Sequence, residues 1–369
     1  MFRRRRACLL SLLLALACLG PAAADLTRDL DAIFAHKSLA QVGALVETLE
    51  GETLYARAPD LPLMPASNMK LVTAALALRT WGDHYRFHTR VYGDQPLGPD
   101  GVLAGNLYLV GAGHPLLDDD FLARLGAALA KDKLQRLTGA VVGVRRLTNG
   151  LADDRELQEA RLLDQALRKH GITVGEPPRA GDLPDGATVI REWESDTVET
   201  LALRMNKPSN NTIADGFMRS LMVAHEANGA GYDALMKQAW QHLGLNLEGC
   251  RFVDGSGLSR RNRLTARFLV GLLRHMRTES PQAGAFVHTL PVAAVDGSLR
   301  QRMCNSCAAG TVRAKTGFLT GACTLSGYVD RNDHRLVFSM LMNGHTVDGD
   351  TIRALQNRAC VAMAGSCRP

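Results

Sequence analysis

The 369-residue sequence has no concentrated run of basic residues beyond its first few positions. Its 43 lysines and arginines exceed its 37 acidic residues only slightly, and four of these arginines are Arg3 to Arg6. Nucleic-acid binding needs a concentrated basic face that releases many counterions. We therefore expect no nucleic-acid partner.

Signatures of two common hydrolase classes are also absent. The sequence contains no His-Glu-x-x-His pattern of a zinc metalloprotease and no Gly-x-Ser-x-Gly elbow of an α/β-hydrolase. Cys304 and Cys307 have redox or zinc spacing, but no second Cys or His pair with finger spacing accompanies them. A lone loop histidine such as His114 usually lies on the surface. No metal and no cofactor is expected.

The start of the chain has the pattern of a secretory signal peptide. The basic block Arg3 to Arg6 precedes an apolar run from about Ala7 to Leu19, and the small-residue stretch 21–24 follows. A membrane-spanning helix would need about 20 apolar residues before any helix breaker. We expect cleavage after Ala24, which places the mature chain in the periplasm or elsewhere outside the cytoplasm.

The cysteines beyond residue 24 are Cys250, Cys304, Cys307, Cys323, Cys360 and Cys367. An even number in an exported chain favours structural disulfides. Six cysteines allow 15 pairings, and the sequence does not choose among them.

Hydrophobic patterning predicts a core of helices and strands that one inserted lobe interrupts. Apolar residues at i, i+3, i+4 and i+7 predict a helix from about Ser67 to Trp81. Glycine-punctuated strands predominate from 93 to 150, and we interpret this stretch as an inserted lobe between core segments 25–92 and 151–369. The last third alternates helices with apolar strands at 321–329 and 335–343.

Three short motifs occur in order along the core: Ser67-Asn68-Met69-Lys70, Ser209-Asn210-Asn211 and Lys315-Thr316-Gly317. Serine and lysine three apart occur by chance about once in a chain of this size, and Ser-x-Asn about as often. Lys-Thr-Gly is roughly tenfold rarer, and here it lies just before an apolar strand. Together and in order, they indicate a site built around a nucleophilic serine.

Ser67 and Lys70 lie one turn apart on one helix face, so the amine can reach the hydroxyl. Taken singly, Ser67 would be a helix N-cap and Lys70 a solvated helix residue. As a pair, the lysine can take the serine proton only if burial or a second cation lowers its pKa from near 10.4. Lys315 is the expected second cation. At the helix start, the Ser67 backbone N–H is also free to stabilise an oxyanion.

The second motif suits proton transfer and peptide binding. The Ser209 hydroxyl can relay a proton between the base and a leaving amine. The Asn211 amide can donate and accept at once along a peptide bond held in a cleft.

The third motif suits a terminal carboxylate. Lys315 and Thr316 supply a cation and a hydroxyl, and Gly317 and Phe318 continue the strand edge. The Phe318 N–H is the expected second oxyanion donor. Arg260, after a tight turn at 254–257, is a further candidate for binding a substrate carboxylate.

The ordered motifs resemble the signature of penicillin-binding proteins and class A β-lactamases. The surrounding stretches are similar to the D-alanyl-D-alanine carboxypeptidase/endopeptidase group, the class C low-molecular-mass or type-four (DacB-like) penicillin-binding proteins. They are residues 65–71, 105–111, 207–211, 254–260 and 314–317, which span nearly all of the mature chain. That group typically has a larger excursion between the first two motifs, which here lie only 142 residues apart.

The resemblance implies an α/β (α+β) fold, with a β-lactamase/transpeptidase-like core, an antiparallel sheet flanked by helices, and a small inserted lobe. It implies a serine D,D-peptidase that acts on peptidoglycan stem peptides through an acyl-enzyme on Ser67, as carboxypeptidase, endopeptidase or both. β-Lactams would inhibit it covalently.

Two alternatives stay open. A β-lactamase would differ by fast deacylation, but its water-activating glutamate is not identifiable between the second and third motifs. A catalytically silent wall-binding module would keep its biological effect without the Ser67 hydroxyl.

Overall fold

The computed structural model describes residues 21–111, 113–144, 155–227, 231–331 and 334–365, with side chains from residue 25 onward. Most of the predicted signal peptide and Cys367 lie outside these ranges. Within them, no helix combines the length and the apolar character needed to cross a membrane.

The helices in this part of the chain are α1 (Pro21–Phe34), α2 (Met69–Trp81), α3 (Asp119–Lys131), α4 (Arg155–Lys169), α5 (Val198–Asn206), α6 (Asn211–Ala224), α7 (Gly231–Gln241), α8 (Ala266–Thr278), α9 (Ala283–His288) and α10 (Gly349–Ala364). Short 3-10 turns occur at Ala66–Asn68 and Gly297–Leu299.

The strands are β1 (Gln41–Thr48), β2 (Thr53–Arg57), β3 (Arg86–Gly93), β4 (Val102–Leu103), β5 (Leu107–Val110), β6 (Arg136–Leu137), β7 (Val141–Val144), β8 (Thr173–Val174), β9 (Arg179–Gly181), β10 (Thr188–Thr197), β11 (Val312–Leu319), β12 (Ala322–Asp330) and β13 (Arg335–Asn343).

The core contains a five-stranded antiparallel sheet in the order β11-β12-β13-β1-β2. Successive residues of β1 point to opposite faces: Leu45 joins one hydrophobic cluster, with α2 and α8, and Ala44 joins another, with α1 and α10. Both faces are therefore covered, which explains why β12 and β13 are buried almost without interruption. The predicted antiparallel sheet between helices is confirmed.

The smaller lobe has a mixed sheet in the order β10-β3-β5-β7-β9 and a parallel three-stranded sheet, β4-β6-β8. Helices α3 and α4 pack on these sheets around their own hydrophobic cluster. Several elements of this lobe lie outside the predicted 93–150: nearly all of β3, and the whole of α4, β8, β9 and β10. β10 is a half-exposed edge strand with charged side chains at Arg191, Glu192 and Glu194, so it lacks an apolar run in the sequence.

The cysteines depart from the expected set of cross-links. Cys250, Cys323 and Cys360 are buried free thiols, and Cys304 is an exposed one. Burial raises the pKa of Cys250 to about 11 and that of Cys360 to about 12, so these thiols are unreactive and pack as small apolar side chains. Cys307 is not free, and its sulfur lies 2.9 Å from the Gly365 carbonyl oxygen. The even cysteine count therefore overstated the number of disulfides.

Candidate active site

Ser67 lies in the 3-10 turn that leads into α2. Ala66, directly before it, has a positive φ of 45°, a backbone conformation that costs energy for a residue with a Cβ. Ser67 is partly exposed, whereas Lys70, one turn later, is fully buried. The helix thus presents the hydroxyl to a cleft and keeps the amine beneath it.

The Ser67 segment is fastened to the core sheet by side-chain hydrogen bonds. Asn68 Nδ2 donates to the Lys315 carbonyl oxygen at 2.7 Å, and Ser326 Oγ donates to Asn68 Oδ1 at 2.8 Å. Thr324 Oγ1 donates to the Pro65 carbonyl oxygen at 2.8 Å. Sequence reasoning missed the part played by Asn68. Its burial beside Ser67 is explained by these bonds, because a buried amide needs partners.

Three oxygen atoms surround the Lys70 amine. Its Nζ lies 3.0 Å from Ser67 Oγ, 2.7 Å from Asn211 Oδ1 and 2.6 Å from the Ser256 carbonyl oxygen. A neutral amine has two N–H groups and one lone pair. Asn211 and Ser256 can accept both N–H groups, which leaves the lone pair for the serine proton.

The Ser256 carbonyl belongs to the turn at 254–257, to which the sequence analysis assigned no part in the site. Two hydrogen bonds hold this turn in place. Asp215 Oδ1 accepts from Ser256 N at 3.0 Å, and Asp254 accepts from Gly257 N at 2.7 Å. Gly257 has a φ of +86°, and a Cβ there would lie 1.9 Å from the Ala66 carbonyl oxygen. Only glycine fits this close approach, so the turn and the Ser67 segment are packed directly together.

The pKa of Lys70 is lowered to about 8 by burial, while the carboxylates of Asp215 and then Asp254 act to raise it. Of the two causes that the sequence left open, burial or the charge of Lys315, burial is the leading one. Burial and the charge of Lys70 lower the pKa of Lys315 well below its usual range. Two positive charges are disfavoured in one buried site, so protonation of both lysines at once is unfavourable.

Lys315 lies on β11, the edge strand beside the Ser67 segment. Its Nζ is 2.9 Å from Ser209 Oγ and 3.0 Å from the Thr316 carbonyl oxygen. Ser209 has a positive φ of 64°, so the loop before α6 is bent to bring its hydroxyl to this amine. Thr316 Oγ1 lies 2.7 Å from Ser298 Oγ, which adds a hydroxyl absent from the predicted set.

The free edge of β11 passes very close to Ser67. A Cβ on Gly317 would lie 2.9 Å from Ser67 N and 2.2 Å from Thr324 Oγ1, so no larger residue fits. Ala314 N donates away from the sheet, to the Pro291 carbonyl oxygen at 2.9 Å. Backbone groups alternate along a strand, so the N–H of Phe318, four residues on, faces the same free edge.

The structure brings the three motifs together. Arg260 is exposed, and among the described residues its side chain makes no hydrogen bond or ion pair, so its part in binding a substrate carboxylate stays a prediction. His114 is buried, not on the surface, because its ring packs 4.8 Å from that of Phe121 and its Nδ1 accepts from Leu116 N. In the described ranges, no cluster of His, Cys, Asp or Glu could hold a metal.

Comparisons with known sequences find relatives along nearly the whole chain. A D-alanyl-D-alanine carboxypeptidase of Actinomadura sp. (strain R39) is 28% identical over 492 aligned positions, covering 98% of this chain and 90% of the relative. The alignment is longer than this 369-residue chain, so the relative contains segments that this chain lacks.

Solved structures show the fold. Penicillin binding protein 4 (dacB) from Haemophilus influenzae superposes with a TM-score of 0.74 at 18% identity, covering 89% of this chain and 97% of that chain. Bd3459, a predatory peptidoglycan endopeptidase from Bdellovibrio bacteriovorus, superposes with a TM-score of 0.66 at 18% identity, covering 88% and 94%. The predicted fold class is thereby confirmed.

The sequence also matches the profile of one peptidase family over residues 26–156 and 148–364, which is most of the chain. The predicted enzyme class, a serine-type D-Ala-D-Ala carboxypeptidase, is confirmed with it. This chain therefore belongs to the D-Ala-D-Ala carboxypeptidase 3 (S13) family.

Proposed function

We propose that this protein cleaves peptidoglycan stem peptides after a D-alanine residue through an acyl-enzyme on Ser67. One observation carries the proposal: Lys70 Nζ lies 3.0 Å from Ser67 Oγ, while its other two neighbours can accept both of its N–H groups. An amine with a pKa of about 8 in that position is a competent base near neutral pH.

The reaction follows from the positions of these groups. Lys70 takes the Ser67 proton as Oγ attacks the carbonyl carbon of the penultimate D-alanine. The N–H groups of Ser67 and Phe318 stabilise the oxyanion. The proton that Lys70 took reaches the leaving amine through the Ser209 hydroxyl as the peptide C–N bond breaks. Water then attacks the ester carbonyl and gives a proton to the neutral Lys70 amine, and Lys70 returns that proton to Ser67 Oγ as the ester C–O bond breaks. No cofactor is required.

The substrate's terminal carboxylate fits beside β11. Thr316 Oγ1 and Ser298 Oγ form a hydroxyl pair there, and the Lys315 amine lies next to Ser209. The carboxylate supplies the counter-charge that this buried lysine lacks, which favours its protonated form when substrate binds. Neutral C-terminal amides should therefore be poor substrates.

We further propose that the protein acts outside the cytoplasm and that β-lactams acylate Ser67. The leader pattern supports the first point, although it lies almost wholly outside the described residues. For the second, the Haemophilus influenzae protein has also been solved complexed with a β-lactam.

We propose residues 86–197 as the inserted lobe, wider than 93–150. Two observations support these bounds: β3 and β10 belong to the lobe's sheet, and β10 ends directly at the start of α5 in the core. The lobe is thus inserted between α2 and α5.

The experiment that tests the function uses a stem pentapeptide and a fluorescent penicillin. We expect D-alanine to be released, detected by mass spectrometry, and the penicillin to remain attached to Ser67. Rapid turnover of the penicillin with an untouched pentapeptide would instead identify a β-lactamase. If the folded protein is not labelled by the penicillin and does not cleave the pentapeptide, only the interpretation as a wall-binding module remains.

The rate of acylation should depend on pH through Lys70. The amine is active when neutral, so kcat/KM should fall about tenfold per pH unit below about pH 8 and level off above it. Asp215→Asn should move this limb to lower pH, because the Asp215 carboxylate raises the pKa of Lys70. The asparagine oxygen can still accept from Ser256 N.

Asp119→Asn, an exposed change on α3, provides the matched control for this profile. The proposal fails on this point if the Asp215→Asn limb stays in place or moves to higher pH.

We infer that Cys307 pairs with Cys367. Cys307 is not free, and its sulfur lies 2.9 Å from the oxygen of Gly365, two residues before Cys367. Titration of the denatured, unreduced mature protein should find the four free cysteines, 250, 304, 323 and 360. Peptide mapping should link the segments holding Cys307 and Cys367. Six free thiols would refute the pairing.

A further inference from the structure

A cavity opens beside the free edge of β11 and has a volume of about 580 Å³. Four segments line it: β11 at 316–318, β12 at Cys323, the stretch 297–302 around the second 3-10 turn, and the start of α10 with Asp350 and Arg353. Thr316 and Ser298, the hydroxyl pair of the carboxylate site, belong to this lining. Whatever continues beyond that first carboxylate therefore enters the cavity.

The cavity is basic. Its lining includes Arg300, Arg302 and Arg353, and Asp350 is the one acidic side chain among the described residues that line it. Asp350 is already ion-paired with Arg353. The other two guanidinium groups give the cavity an excess of positive charge.

Arg302 is a cation held entirely by neutral groups. Its Nε donates to Asn357 Oδ1 at 2.8 Å, and its Nη2 donates to Gln356 Oε1 at 3.1 Å and to the Arg353 carbonyl oxygen at 3.2 Å. Within the described part of the chain, no carboxylate pairs with it and its Nη1 donates no hydrogen bond. Burial lowers the pKa of this guanidinium. A largely buried charge without a counter-ion is costly, so a fixed guanidinium of this kind is a ready anion site.

Phe318 gives the cavity an apolar surface beside Arg353. The side chain of Phe318 is 49% exposed, and the Arg353 guanidinium lies 4.9 Å above its ring. A Cβ on Gly349 would lie 2.6 Å from Phe318 Cε2, so the ring is packed against the start of α10. A short hydrocarbon chain could lie along this ring and connect two carboxylates.

We propose that this cavity is a leaving-group subsite in which Arg302 and Arg300 bind a second carboxylate of the leaving strand. A leaving D-alanine ends at the first carboxylate and leaves the arginines unpaired. A leaving strand attached through a diamino acid continues past that carboxylate and carries further ones. The inference rests on the proposed function, and the chemistry is the same: the acyl D-alanine is transferred to Ser67, and the leaving side-chain amine takes the proton.

The test compares three substrates: a pentapeptide ending in D-alanyl-D-alanine, a cross-linked dimer, and the same dimer with the far carboxylates of its leaving strand amidated. We expect the parent protein to cleave the dimer with a kcat/KM about 10- to 100-fold above that of its amidated form, the range for one charge-assisted hydrogen bond. Arg302→Gln and Arg300→Gln should lower this ratio towards one. Arg358→Gln, an exposed change on α10 away from the cavity, is the matched control and should keep the ratio.

Equal cleavage of both dimers by the parent protein would overturn the subsite, whether or not the arginine variants fold. Cleavage of the pentapeptide alone, or equal losses on all three substrates in the arginine variants, would overturn it too. Failure of the proposed function looks different, because then no substrate is cleaved and penicillin does not label Ser67.

Discussion

Ser67→Ala should abolish peptide cleavage and penicillin labelling while leaving the fold intact. Without Oγ no acyl-enzyme can form, so we expect kcat/KM to fall by on the order of 10⁴-fold or more. The hydroxyl is partly exposed, and its one side-chain hydrogen bond is to Lys70 Nζ, so little stability depends on it. Cleavage is measured by D-alanine release, and folding by thermal unfolding.

Ser38→Ala, in the loop between α1 and β1, removes a partly exposed hydroxyl that forms no hydrogen bond with the three motifs in the described residues, and is the matched control. A Ser67→Ala protein that still released D-alanine at a comparable rate would end the case for an acyl-enzyme on this residue.

Lys70→Met should reduce acylation by about 10²- to 10⁴-fold, the usual contribution of a general base. Methionine keeps the buried side chain apolar and of similar length but removes the amine that faces Ser67 Oγ. The remaining slow reaction should lose its dependence on a group with a pKa of about 8. Stopped-flow labelling by a fluorescent penicillin across the pH range measures both effects.

Lys131→Met, at the exposed end of α3, controls for the loss of a lysine. Circular dichroism shows whether the Lys70 variant is folded. A folded Lys70→Met protein that acylates at the parent rate would show that another group takes the serine proton.

The sequence predicted those parts of the site that depend on side-chain identity. Serine, lysine and asparagine at fixed spacing indicate chemistry because few other residues can perform it. Local patterning then placed the first motif at the start of α2 and the second at the start of α6, as the structure has them. The helices and the apolar strands of the core sheet were predictable for the same reason, since their periodicity is strong.

Other parts depend on the backbone and on long-range packing, which a single sequence does not encode visibly. The Ser256 carbonyl beside Lys70 is one example, because every residue has a carbonyl and only the fold selects this one. The cause of the lowered pKa of Lys70 is another, since the sequence left burial and a second cation both open and only the fold shows how deeply the amine is buried. The edge strand β10 was missed because its exposed face is charged. The cysteines were misjudged because an even number of cysteines does not show that any two of them lie close together in space.

The close approach of β11 to the Ser67 segment limits how the cleft can adapt. Gly317 lies against Ser67 N, and Asn68 is hydrogen-bonded to both β11 and β12, so the nucleophile and β11 form one rigid unit. We therefore expect the cleft to adapt to bulky substrates through the opposite side, the bent loop that carries Ser209. Such a movement would change the distance from Ser209 to Lys315 and would leave the position of Ser67 relative to β11 unchanged.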